Sequence, residues 1–243
     1  MMPDTSLYKN LIVSGCSFTH NEHESHITWG NCLAAWSGMG ITNLAVNGAG
    51  NAHIADSIIL HLEKNKCNPQ DTLILVMWSA PDRIDLITDR QSSDYFEVRH
   101  RYHYDKFNEL STGNNNKKSP HFKNMINDLR KYLSQKSSTL TSWLKILSLT
   151  NYLKVNNYTF YYTAYYDIFH PSRGDLETEL NEMNLSMDMS TWLITDTQSY
   201  LGNFVKERNL VAPDGWHPSI RGQEEWTKTI LIPALIDKNI LKG

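Results

Sequence analysis

Two short segments, nearly the whole chain apart, carry residue types that together could move an acyl group. One is Ser14-Gly15-Cys16-Ser17-Phe18-Thr19, and the other is Pro213-Asp214-Gly215-Trp216-His217-Pro218. A serine hydroxyl becomes a useful nucleophile when a neighbouring base takes its proton. Imidazole is the usual base, and a carboxylate beside it fixes the tautomer and stabilises the charged form. Asp214 precedes His217 by three positions, so one turn anchored by Pro218 can present both. Alone, Ser17 reads as a turn or helix-cap serine and His217 as a contact at a helix start; the chemistry lies in the combination. Cys16 could rival Ser17, but adjacent residues on a turn seldom point the same way, so Cys16 is assigned to packing.

Something must bring these segments together, and the apolar pattern says what. Leu7–Ser14, with Leu11, Ile12 and Val13 ahead of a Gly, predicts a buried strand. Trp29, Cys32, Leu33 and Trp36 form a helical stripe, and Thr42–Val46 predicts a second strand ending at Asn47-Gly48. A helix is expected from Asn51, with Ile54, Ile58, Ile59 and Leu62 on one face and Asn51 as its cap. Thr72–Trp78 is the clearest buried strand. Strand and helix alternating at these intervals predict a parallel sheet with crossover helices, an α/β protein built as a three-layer α/β/α sandwich with flavodoxin-like winding. In such sheets ligands bind at the carboxyl ends of the strands, where both motifs fall.

The remainder is less regular. Extended runs are expected near 84–87 and 95–104, ahead of the low-complexity stretch 111–119. We read 84–120 as an insertion at the exit of the third strand, within a single domain spanning 1–243. Helical spacing resumes at Phe122, Met125, Ile126, Leu129 and Leu133, and again at Leu140, Trp143, Leu144 and Leu147. A strand at Tyr158–Tyr165, helices near 176–190 and 197–208, and a last helix near 219–236 with Ile220, Trp226, Ile230 and Leu231 buried complete the expectation.

In order and spacing these motifs resemble the SGNH/GDSL hydrolase family. Gly15-Cys16-Ser17-Phe18-Thr19 matches its first block, with Cys16 where Asp is usual; Asn43 to Gly48 match the second, and Asp214, His217, Pro218 and Gly222 the last. The resemblance implies Ser17 as nucleophile and oxyanion donor, Gly48 as a second N–H donor, and Asp214 and His217 as the rest of a triad. It departs at the third block. There the family places an Asn whose side chain donates to the oxyanion, and this chain has Trp78-Ser79-Ala80-Pro81-Asp82-Arg83. Proline has no side-chain donor and no N–H. Losing one oxyanion donor costs about 10²–10³ in turnover, so the activity is expected to be weakened or specialised. Asn51, Ser79 and Arg83 are the nearest substitutes. Asn51 is favoured because it opens the helix after Gly48; its other role would be to cap that helix.

The implied reaction is hydrolysis of an ester, on a small molecule or a glycan, through an acyl-Ser17 intermediate. A carbohydrate O-acyltransferase would use the same residues, and a binding protein retaining the fold is the alternative from another class. No cofactor is expected. His20, His23 and His26 recur every three residues, but no Cys or acidic partner stands at ligand spacing, so no metal is expected either. Arg99-His100-Arg101-Tyr102-His103-Tyr104 alternates basic and aromatic residues, as a two-sided strand at the pocket rim would. Lys plus Arg number 23 against 26 Asp plus Glu, for a net charge of −3, which argues against nucleic acid as partner. Three cysteines without a CxxC suggest reduced, packed thiols. No apolar run approaches the roughly 20 residues of a membrane span, and the N-terminus lacks a signal-peptide core, so a cytoplasmic protein is expected.

Overall fold

A computed structural model describes residues 7–20, 27–81, 83–87, 98–103, 135–166, 168 and 188–242. In chain order its elements are β1 (Asn10–Ser14), α1 (Ser17–His20), α2 (Trp29–Ser37), β2 (Gly40–Asn43), α3 (Asn51–Asn65) and β3 (Thr72–Trp78). Then come β4 (Arg83–Ile87), β5 (Val98–His103), α4 (Gln135–Val155), β6 (Thr159–Ala164), α5 (Leu201–Glu207), α6 (Ile220–Trp226) and α7 (Ile232–Asp237).

Four strands form one parallel sheet in the order β2-β1-β3-β6. Every residue of β3 is buried, as expected of a parallel strand covered on both faces. Ser14 approaches the Ile54 carbonyl of α3 at 3.5 Å, and Thr150 of α4 hydrogen-bonds the Tyr162 hydroxyl at 3.0 Å, so α3 and α4 share one face. Lys145 joins the two helices through Asp56 at 2.8 Å. On the other face α2 lies against β1 and β2, so close that a Cβ on Gly30 would meet Val13 and Ile41 at 3.1 Å. Trp29 of α2 and Trp226 of α6 pack edge to face, 6.1 Å between centroids. The result is the expected three-layer α/β/α sandwich. Because the chain leaves β1 for β2 on one side and reaches β3 on the other, the winding reverses between β1 and β3. The crevice above that point is where such sheets bind ligands.

Several boundaries differ from the sequence expectation, each for a local reason. β2 ends at Asn43, not Val46, because the Asn43 side chain accepts the Ala45 N–H at 2.9 Å and turns the chain. Gly50, not Asn51, is the N-cap of α3, and the missing acceptors are supplied by Asp85 of β4. In α4 the buried line is Trp143, Ile146, Leu149 and Leu153, while Leu144 lies outside it and is 47 % exposed. The helix expected at 197–208 is a tight turn (Thr197–Ser199) followed by α5, broken by the extended backbone of Tyr200. The last helix widens over Thr227–Leu231 just ahead of Pro233, which has no N–H to give, and it buries Trp226, Leu231 and Leu235 more fully than Ile220 and Ile230. Of the runs expected near 84–87 and 95–104, Arg83–Ile87 and Val98–His103 are strands that pair antiparallel, β4 with β5, whereas 95–97 and 104 lie outside the described residues. The helical spacing at 122–133, the loop at 111–119 and most of 176–190 lie outside the described residues.

Gly15 shows how closely the first turn is packed. A Cβ there would overlap Thr19 Oγ1 and stand 3.0 Å from the Met77 carbonyl oxygen. Thr19 is fully buried and its hydroxyl accepts the Trp29 indole N–H at 3.2 Å, so it has nowhere to go. Gly15→Ala should therefore destabilise by about 1–3 kcal/mol in denaturant unfolding. Gly40→Ala, whose Cβ would meet nothing nearer than 3.8 Å, should stay within about 0.5 kcal/mol of the parent. Equal values for the two variants would refute the argument.

Candidate active site

Ser17 is the first residue of α1, directly after the Gly15-Cys16 turn that leaves β1. The Cys16 carbonyl accepts the N–H groups of Thr19 and His20, which starts the helix at the serine. Cys16 itself is fully buried and its side chain belongs to the core. Two side chains fix the short helix by its main chain. Asn43, at the end of β2, donates to the Thr19 carbonyl at 3.0 Å, and Gln223, from α6, donates to the Phe18 carbonyl at 3.0 Å.

The turn carrying His217 is closed by its own main chain. Ala212 N–H donates to the His217 carbonyl at 2.7 Å, Gly215 N–H donates to the Ala212 carbonyl at 2.9 Å, and Gly215 takes a positive φ of 74°. Asp214 Oδ1 accepts the N–H groups of Trp216 (2.8 Å) and His217 (3.0 Å). Its other oxygen, Oδ2, meets His217 Nδ1 at 2.6 Å. Across the crevice His217 Nε2 stands 2.9 Å from Ser17 Oγ. Asp214, His217 and Ser17 are thus brought into one hydrogen-bonded line. A proton on Nδ1, held by the carboxylate, leaves Nε2 as the acceptor of the serine proton. Burial is the largest single influence on Asp214 and works against ionisation. The bonds from the His217 ring and from the His217 and Trp216 amides outweigh it, holding the carboxyl at about 2.

The second loop supplies Gly48, half-buried with a φ of 66° in the turn that Ala49 N–H closes onto the Val46 carbonyl at 3.1 Å. Asn51 is fully buried and does not cap α3. Its Nδ2 donates to the Ser79 carbonyl (3.1 Å) and its Oδ1 accepts the Ser79 N–H (2.8 Å), so both ends of the amide are committed to one peptide. Of the other substitutes for the absent Asn, Ser79 is fully buried, and Arg83 donates to the Ala49 carbonyl at 3.1 Å with its guanidinium 5.4 Å from the Tyr165 ring. Pro81 is pinned through its carbonyl by the Ser142 hydroxyl at 2.6 Å.

Aromatic rings flank the line of three. Phe18 lies 5.4 Å from the His217 ring and 4.8 Å from Tyr165, and Tyr166 bridges Tyr165 (4.8 Å) and Trp216 (5.9 Å). Trp216 is 50 % exposed. Trp78, by contrast, is fully buried against Tyr162 and is core. His20 ends α1, whereas His23 and His26 lie outside the described residues; among the described ones no cluster of three His, Cys, Asp or Glu side chains could hold a metal ion. No helix among them is long and apolar enough to cross a membrane.

Sequence reasoning missed Gln223, which is fully buried and also accepts the Trp29 N–H through Oε1 at 2.9 Å. The available signal was a polar residue on the stripe shared with Gly222, Trp226 and Thr227, which marks a buried polar contact.

No protein-family model matches the sequence, and no curated protein matches it. Solved structures do. The psychrotrophic esterase EstA from Pseudoalteromonas sp., in a structure inhibited by monoethylphosphonate, is similar with a TM-score of 0.51 and 10 % identity, over 95 % of this chain and 98 % of that one. A lipolytic protein of the G-D-S-L family from Veillonella parvula gives 0.48 and 12 %, over 94 % and 96 %. The likeness to EstA is one of fold, and this chain has the α/β/α fold of the SGNH/GDSL hydrolases.

Two outcomes follow from the contacts. Gln223→Leu strands the Phe18 carbonyl and the Trp29 N–H in the interior, and should lower stability by about 1–3 kcal/mol; a variant within about 0.5 kcal/mol of the parent would show the tie to be idle. The second concerns acid. The folded carboxyl of Asp214 sits at about 2, below its ordinary 3.8, so it stabilises the fold fully above about pH 4. That stabilisation fades as pH falls through the folded value. The parent should melt above Asp214→Asn at about pH 5, with the gap closing towards pH 2. A gap that is constant with pH would contradict this.

Proposed function

We propose that this chain is a serine ester hydrolase that works through an acyl-Ser17 intermediate. The observation that carries the proposal is the unbroken line Asp214 Oδ2–His217 Nδ1, His217 Nε2–Ser17 Oγ, at 2.6 and 2.9 Å. His217 takes the Ser17 proton as Oγ attacks the ester carbonyl, and a tetrahedral oxyanion forms. The Ser17 and Gly48 N–H groups receive that oxyanion. Collapse breaks the bond to the leaving alkoxide, which takes the proton from His217 and departs as the alcohol. Water then gives a proton to His217, attacks the acyl-serine through the same geometry, and releases the acid while Ser17 recovers its proton. With Pro81 at the third block, two main-chain donors carry the oxyanion, and turnover is lower than three would give, by about 10²–10³ if nothing replaces the third. Asn51 enters as the residue that fixes Ser79.

The Tyr166–Trp216 edge beside His217 is the surface an ester's leaving group or a glycan ring would meet. Its exposure favours water over a sequestered acceptor hydroxyl in the second half, and so a hydrolase over an O-acyltransferase. A protein that merely binds has no use for an imidazole held between a serine and a carboxylate.

A fluorophosphonate probe should label Ser17. Ser17→Ala should lose both labelling and hydrolysis of short p-nitrophenyl esters, while its melting temperature stays within a degree or so of the parent. Turnover retained in Ser17→Ala would remove the serine from the reaction.

A further inference from the structure

We propose that β4 is a clamp on the oxyanion loop, with Asp85 and Arg83 acting as positioning residues for the reaction; this rests on the hydrolase reading above. The two side chains stand two apart on β4 and so project to one side of the strand. Both grip the same piece of main chain. Arg83 Nη1 donates to the Ala49 carbonyl at 3.1 Å, Asp85 Oδ1 accepts the Gly50 N–H at 2.8 Å, and Asp85 Oδ2 accepts the His53 N–H at 2.8 Å. The approach is so close that a Cβ on Gly50 would meet the carboxylate at 2.6–2.9 Å. From the other side, Asn51 locks the same segment to the Ser79 peptide.

The chain's own chemistry makes this clamp necessary. The first N–H groups of a helix have no partner within it. Gly50 has no side chain with which to cap α3, and the Asn51 oxygen accepts the Ser79 N–H instead of an N–H of the helix. A carboxylate from a distant strand fills the need, with bonds strengthened by its charge and by the positive end of the helix. Gly48 lies two residues before Gly50, so the peptide that carries its N–H stands between the turn closed by Ala49 N–H on the Val46 carbonyl and the clamp. Donors stabilise an oxyanion in proportion to how well they are placed in advance. With no donor at Pro81, that placement rests on fewer groups. β4 thereby acts on the chemistry, by holding the loop that carries Gly48.

The test uses Asp85→Ala and Asp85→Asn, with Ser17→Ala in parallel. Each is measured for kcat and KM on p-nitrophenyl acetate, for affinity towards a trifluoromethyl ketone, and for melting temperature. The ketone adds Ser17 Oγ to form a tetrahedral oxyanion, so it reports the hole directly. Asp85→Ala should lower kcat by about 10–100-fold with KM changed less than about 2-fold, and should weaken the ketone by the same factor. Asp85→Asn, which keeps an acceptor for one of the two N–H groups, should recover part of both and serves where the alanine variant fails to fold. A purely structural role predicts a lower melting temperature with the ketone affinity and kcat of the folded protein unchanged, and that result overturns the clamp. If Ser17→Ala is inactive while both Asp85 variants are normal, the clamp alone fails. If Ser17→Ala stays active, the hydrolase reading fails and takes the clamp with it.

Discussion

A hydrogen bond of 2.9 Å between Ser17 and His217 tolerates little drift, yet the two residues arrive on elements 200 positions apart. The Gln223 amide holds those elements in register. Its Nε2 fixes the carbonyl of Phe18 beside the serine, and its Oε1 fixes the first N–H of α2. It leaves from α6, which begins right after the histidine turn. Ser219 connects turn and helix, donating its hydroxyl to the Leu210 carbonyl at 2.8 Å and accepting the Gly222 N–H at 3.1 Å. If α6 shifted, the imidazole would move and two buried main-chain groups would lose their partner together. Apolar packing between Trp29 and Trp226 brings the layers together without direction; the amide supplies the direction.

The same device recurs around the crevice. Asn43 reaches from the end of β2 to α1, Asn51 from α3 to the exit of β3, and Asp85 from β4 back to α3. Asn and Gln carry a donor and an acceptor on one rigid plane, and so can match a peptide group as a strand neighbour would. Asn51 does this at Ser79, where β3 has ended. Loops that would otherwise drift are thus held by side chains beyond the reach of the sheet ladder.

What could be read from the sequence follows from which interactions are local. β3 has the expected limits because a run buried on both faces needs no partner's identity to be recognised. The turns that carry Ser17, Asp214 and His217 were legible because they are written in adjacent residues: a Gly that admits Thr19, an Asp that closes on the next amides, a Pro that ends the turn. Asn51 was misread as a cap because the cap signal is a residue type at a boundary, and the Ser79 peptide that claims it leaves no mark in composition. Asp85 and Gln223 escaped for the same reason. Their partners are main-chain groups far along the chain, and every residue has those. The end of β2 was set too late because Leu44 and Val46 still donate to the carbonyls of Val13 and Gly15, at and just past the end of β1, after the Asn43 side chain has turned the strand aside.

The spacing of Asp214 and His217 has its own physical reason. One carboxylate does two jobs with two oxygens: Oδ1 gathers the amides of the second and third residues beyond it, and Oδ2 meets the ring of that third residue. The first set of bonds folds the backbone into the turn, and the turn then delivers the ring to the second oxygen. With one residue fewer, the histidine would occupy the place of Trp216, whose amide but not its side chain meets the carboxylate. With one more, its amide would lie beyond the reach of Oδ1 and the ring would swing on an unfixed backbone. Gly215 accommodates the positive φ the path requires, and the Ala212–His217 main-chain bond closes the loop behind it. The carboxylate's orientation, the imidazole's tautomer and the direction of Nε2 towards Ser17 are therefore consequences of a single six-residue geometry, 212–217, and a change that loosened the turn would loosen all three at once.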